Sequence, residues 1–137
     1  MSQHRHLAEF DQELSKAAGK PVRITFTPHL LPQNRGILAT IYVKGALKDI
    51  QTALETRYSG EKFIRVLPAN SVITTKHVRG SNFCHIAVCE SSRKDVVIIF
   101  SSLDNLIKGS SGQALQNANI VFGLEETSGL MSSPLFP

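Results

Sequence analysis

The sequence predicts an α+β fold: a largely antiparallel or mixed sheet with helices on one face. Three observations carry this. Segments of helical periodicity lie near the start, in the middle and near the end, with short apolar strands between them. Two strong strand candidates are joined only by Ser91-Ser92-Arg93-Lys94, which forces a hairpin and antiparallel pairing. No strand-turn-helix opens on a glycine-rich dinucleotide fingerprint, so a complete nucleotide-binding domain is not expected within these residues.

The elements follow in order. Leu7, Phe10, Leu14 and Ala17/Ala18 recur at helical spacing, with Glu9, Asp11 and Glu13 near the positive end of the helix dipole. Gly19 and Pro21 close that helix, which should run over about 7–18. Val22, Ile24 and Phe26 alternate with Arg23, Thr25 and Thr27, predicting a half-buried strand. Thr27 to Gly36 reads as a shaped loop, punctuated by Pro28, Pro32, Asn34 and Gly36. Ile37 to Val43 is almost unbroken apolar sequence, which predicts a strand covered on both faces. Leu47, Ile50, Leu54 and Tyr58 mark a second helix ending near Gly60, and Lys62 to Leu67 a short strand. Phe83 to Glu90 and Asp95 to Ser101 form the hairpin. Ser110 and Gln113 fit a capping box, so a third helix should begin there, with Leu115, Ala118 and Phe122 on one face and Gly123 at its end.

A chain of 137 residues with 42% hydrophobic and 19% charged residues is expected to be one folded domain over 1–137, soluble and cytoplasmic. No apolar run approaches the roughly 18 residues of a membrane span, so no membrane partner is expected. Cys84 and Cys89 point to opposite faces of an extended segment, which argues for free thiols. The net charge of +4 is concentrated between Arg57 and Arg79. A basic patch can bind nucleic acid, but no nucleic-acid-binding motif accompanies it, and no nucleic-acid partner is expected.

Four constellations could carry chemistry. His4-Arg5-His6 brings two imidazoles to one side of an extended backbone. Imidazole is the natural acid/base near neutral pH; metal binding and an N-terminal segment without function are the other readings. No metal site is expected, because a third ligand is not evident. Asn34-Arg35-Gly36 can present a guanidinium fork to a carboxylate or phosphate, or simply expose a loop arginine, and Arg79-Gly80-Ser81-Asn82 has the same two readings. Cys84 sits among apolar neighbours and reads as core rather than nucleophile. From Asp104-Asn105 through Asn117, Gly109, Ser110, Ser111 and Gly112 would let backbone amides approach a phosphate or flat ring; close helix packing explains them equally well.

Several longer stretches carry a resemblance. They are His4-Arg5-His6-Leu7-Ala8-Glu9-Phe10, Thr27 to Gly36, Gly80-Ser81-Asn82-Phe83-Cys84, Asp104 to Gly109, Gly112 to Asn117, and the ending Pro134-Leu135-Phe136-Pro137. In this order they resemble the C-terminal part of N-acetyl-γ-glutamyl-phosphate reductase, an enzyme of arginine biosynthesis. The fold implied resembles the C-terminal domain of glyceraldehyde-3-phosphate dehydrogenase-like reductases. The resemblance implies an NADP-dependent reduction of an acyl phosphate to a semialdehyde. In it a cysteine thiolate displaces phosphate and hydride reduces the resulting thioester. It implies His4 as acid/base with His6 beside it, both as catalytic candidates, and Arg5 and Arg35 as substrate anion contacts. Asn105, Gly109, Ser110, Gly112 and Asn117 would border the cofactor. The partners implied are a small acyl phosphate and a second copy of the chain, in a dimer or tetramer.

This sequence departs from the family pattern at Ala8, usually proline, at Phe10, usually aliphatic, and at His85, usually aspartate. The family's Gly-Cys-Tyr-Pro-Thr nucleophile stretch and its NADP-binding domain do not occur in these residues, so the chain alone is expected to be inactive. If the last helix normally packs on that domain, its face of Leu115 and Phe122 is expected to be exposed or repacked. The alternatives are a standalone oligomeric binding module of this fold and a domain of the related lysine-pathway reductase.

Overall fold

The computed structural model describes His4 and residues 6–135. One domain over 1–137 is the sequence expectation; in space the contacts gather into two compact units, one closing at Gln33 and the other opening at Asn34.

The first unit is built on α1, His6–Ala18. Gly19 ends the helix with φ of +63°, a left-handed conformation that costs glycine little. The strand expected over Val22 to Phe26 does not form. Its backbone bonds go to helix side chains instead: the Val22 amide donates to Ser15 Oγ at 2.8 Å and the Ile24 amide to Asp11 Oδ1 at 3.3 Å. The alternating pattern is real, but its apolar positions follow a helix rather than a sheet. Phe26 stacks edge-on to Phe10 with ring centroids 5.0 Å apart. No described residue of this unit is buried.

The second unit holds the sheet. It runs β1 (Ile37–Lys44), α2 (Leu47–Tyr58), β2 (Ile64–Val66), a 3₁₀ turn (Thr75–His77), β3 (Cys84–Glu90), β4 (Val96–Leu103), a π turn (Ile107–Ser111) and α3 (Gly112–Val121). The strand order is β1-β4-β3-β2. β4 pairs antiparallel with β1 and with β3, and β2 pairs parallel with β3, so the sheet is mixed and mostly antiparallel as the sequence predicts. Central β3 supplies buried Cys84, Ile86, Ala87 and Val88, joined in the core by Phe63, Val78, Val97 and Leu130.

Two expectations fail in this unit. β1 is not covered on both faces: Ile37, Leu38, Ile41 and Tyr42 are exposed, Tyr42 by 70%. β1 is an edge strand with β4 as its single sheet neighbour, and α2 packs against β2 and β3. Continuous apolar sequence therefore marks a surface left open among the described residues. The Ser110 capping box also does not form. The chain is already helical at Ile107, so Ser110 lies inside the π turn. Ser111 Oγ donates to the Leu106 carbonyl, and Gln113 turns to Asn117. The cap lies upstream, at Asp104. On α3 the face expected to be exposed or repacked is bare, with Leu115 exposed and Phe122 76% exposed.

Candidate functional site

His4 and His6 lie at the start of α1, with ring centroids 4.8 Å apart and planes at 68°. The His6 amide donates to His4 Nδ1 at 3.3 Å and the Leu7 amide to the His4 carbonyl at 3.0 Å. His4 thus accepts at the N-terminal end of the helix. An accepting Nδ1 is unprotonated, which leaves the proton of a neutral ring on Nε2. Phe26 lies edge-on to His4 at 5.3 Å and Phe10 to His6 at 6.5 Å, so aromatic contacts orient both imidazoles. Arg5 lies outside the described residues.

In the second unit one carboxylate gathers three loops. Asp104 follows β4 and is fully buried. Its Oδ1 accepts from the amides of Leu106 at 2.8 Å and Ile107 at 3.0 Å, which starts the π turn. Its Oδ2 accepts from the Gly80 amide at 2.6 Å and forms an ion pair with Arg35 Nε, also at 2.6 Å. Burial by itself would raise the pKa of this carboxyl. The amides of Gly80, Ile107 and Leu106 and the Arg35 guanidinium overrule it and hold the pKa below the ordinary carboxylate value. Next to it, Asn105 Oδ1 accepts from the Gly36 amide at 2.7 Å. The Asn34-Arg35-Gly36 loop, the Gly80 loop and the turn leading to α3 therefore meet at Asp104-Asn105. Asp104 joins these loops, and sequence reasoning places it in a candidate segment without naming it as a site residue. The available signal was an aspartate at a strand end, ahead of a run that could start a helix.

Of the residues proposed to border a cofactor, Gly109, Ser110 and Asn117 are exposed, while Asn105 and Gly112 are used within the fold. The Gly109 amide closes the turn on the Asp104 carbonyl at 2.8 Å. Gly112 is buried, and a Cβ there would collide with Asn82 Oδ1 and the Ile107 side chain. A cleft of about 250 Å³ lies beside this turn, with Gly80, Asn82, Gly112, Leu115 and Leu130 among its walls.

A polar chain fixes α3 beneath that cleft. Gln116 Oε1 accepts from Asn82 Nδ2 at 3.0 Å and from Lys108 Nζ at 2.7 Å, and Gln116 Nε2 donates to Glu126 Oε1 at 2.6 Å. Burial lowers the Lys108 pKa, against the opposing charges of Cys84, Glu126 and Glu61. Cys84 shares a 3.4 Å contact with Ser101 Oγ. Burial raises its thiol pKa despite Ser101 and Lys108, the opposite of what a nucleophile needs. Both cysteines are free. In the basic stretch, Arg57 pairs with Glu61 at 3.0 Å and Arg65 lies over the Phe83 ring at 4.9 Å. No three metal-ligating side chains gather among the described residues, and no described helix is long and apolar enough to cross a membrane.

The family model described as semialdehyde dehydrogenase, dimerisation domain, matches residues 1–105. The chain belongs to this family. As a member of the semialdehyde dehydrogenase dimerisation-domain family it has close relatives among proteins named N-acetyl-gamma-glutamyl-phosphate reductase. That of Roseobacter denitrificans is 57% identical over 136 residues, covering 99% of this chain and 40% of the relative. Those of Rhodobacter capsulatus and a Jannaschia species are each 57% identical over 134 residues, covering 98% of this chain and 39% of theirs. The chain thus spans about 40% of the length of these curated relatives. Their similarity continues past residue 105 into α3 and the tail, where the Lys108–Gln116–Glu126 chain lies.

Proposed function

We propose that the chain supplies the C-terminal substrate and dimerisation domain of an NADP-dependent N-acetyl-γ-glutamyl-phosphate reductase in arginine biosynthesis. The observation that carries this is the 57% identity over 99% of the chain to proteins of that name. The substrate would be an acyl phosphate, reduced to a semialdehyde, and NADPH when bound supplies the hydride. His4 moves the proton at Nε2, since its Nδ1 is engaged by the His6 amide. His6 contacts substrate beside it, Arg5 and Arg35 contact its anionic groups, and Gly109, Ser110 and Asn117 border the cofactor. The exposed apolar side chains of β1 favour association into a dimer or tetramer.

NADPH oxidation by this chain alone, given acyl phosphate, tests the reading. No turnover above background is expected, because Cys84 is buried and burial raises its thiol pKa, the opposite of what a nucleophile needs. Robust turnover would overturn the assignment and return Cys84 or Cys89 to consideration as nucleophile. Light scattering should give a dimer or tetramer; a strict monomer at high concentration would remove the association claim.

A further inference from the structure

Arg35 meets one group among the described residues, Asp104, and meets it through Nε. That nitrogen is buried and pairs with the carboxylate by charge and proximity, without the angle of a hydrogen bond, whereas the side chain as a whole keeps 25% of its surface open. Among the described residues the terminal nitrogens Nη1 and Nη2 make no hydrogen bond or ion pair, and neither is a buried orphan. A guanidinium held at Nε with both terminal nitrogens open is a fork prepared for an oxyanion.

We propose that Asp104 is a positioning residue: it fixes Arg35 at Nε so that Nη1 and Nη2 bind an oxyanion, a carboxylate or phosphate group of the substrate. The proposal deepens the reading of Arg35 as a substrate contact and rests on it. The geometry supports a role beyond charge balance. Asp104 is itself anchored by two amides of the turn that follows it and by the distant Gly80 amide, so it cannot follow a wandering arginine. Asn105 holds the neighbouring Gly36 amide, fixing the backbone on which Arg35 stands. A Cβ at Gly36 would strike the Thr75 side chain, so this backbone also lies close against the 3₁₀ turn. Side chain and main chain of the Arg35 loop are thus gripped by consecutive residues, and the part left open is the end of the fork.

The test uses this chain and two probes, inorganic phosphate and acetate, titrated while amide and arginine Nε–H signals are followed by NMR. Saturable shifts centred on Arg35 are expected with at least one probe, and the probe that saturates tells which oxyanion the fork takes. Arg35→Ala should remove them. Asp104→Asn should weaken binding about tenfold, the scale of a lost charge-assisted contact, while in the Arg35→Ala background it should change nothing further. If both probes fail to give Arg35-dependent binding, the substrate-contact reading and this proposal fall together. If Arg35→Ala abolishes binding but a folded Asp104→Asn binds as the native chain does, positioning alone is refuted. The native Nε–H of Arg35 gives a readout that survives a misfolded variant. It should exchange far more slowly than that of a free arginine, and exchange at the free rate would overturn the proposal.

Discussion

Phe63 and Phe10 are the same side chain in two different settings: one is 1% exposed in the core of the second unit, the other 38% exposed on α1. The contrast extends to their surroundings. Around Phe63 a four-stranded sheet closes over central β3. Around Phe10 a single helix of 13 residues is accompanied by extended chain, and order comes from edge-on rings and side-chain-to-backbone bonds. A helix of that length is marginal in water without packing. The proposed acid/base histidines stand on the lightly held unit, and the proposed anion fork stands on the well-packed one. Groups that move protons can sit on elements of low local stability, whereas a fork that must hold one geometry benefits from a rigid frame.

Substitutions can break or sharpen that contrast. The largest expected effect is at Asp104: Asp104→Ala leaves the Arg35 charge unpaired and three amides uncapped, costing about 3–5 kcal/mol, the scale of a broken buried pair. Phe63→Ala should cost about as much, 3–5 kcal/mol, through lost burial and the cavity it leaves. Phe10→Ala should cost less, about 1–2 kcal/mol, since 38% of its surface is already in water. Denaturant titration measures all three, and equal losses at Phe10 and Phe63 would erase the distinction between the units. Gly112→Ala should cost about 1–3 kcal/mol by overpacking against Asn82 and Ile107.

The smallest expected effect is on pH dependence. Burial, then the charges of His77 and Arg65, lower the pKa of His85, so the unfolded chain takes up this proton first. Stability is therefore full above about pH 6.5, the ordinary histidine value, and is lost as pH falls through the lower folded value. His85→Gln should remove that loss from a series of melts. A second decline, from Asp104, begins only below about pH 3.9, the ordinary aspartate value, and should persist in the same variant.

The sequence made some features plain and concealed others. Leu47, Ile50, Leu54 and Tyr58 mark α2 because helical spacing is local, and Ser91 to Lys94 forces the β3–β4 hairpin because so short a link allows little else. The segment from Val22 to Phe26 misleads because alternation shows which residues seek cover, not whether a sheet or helix provides it. Ile37 to Val43 misleads for a related reason: apolar character reports a need for burial, while exposure on an edge strand depends on what else is present. Ser110 and Gln113 satisfy a capping pattern that Asp104 pre-empts by starting the turn earlier. Of the site, the Asn34-Arg35-Gly36 loop and the Asp104–Asn117 segment could be singled out from residue type. Their meeting at one carboxylate could not, because it joins Gly80, Arg35 and Ile107 across distant sequence.

The most direct test mixes this chain with the nucleotide-binding domain of a close reductase relative and follows NADPH oxidation with the acyl phosphate. Neither component alone should turn over, the mixture should, and His4→Ala in the mixture should lower the rate by about 100-fold or more, the usual contribution of a positioned acid/base. Activity from this chain alone, or a His4→Ala mixture as active as the native one, would contradict the account.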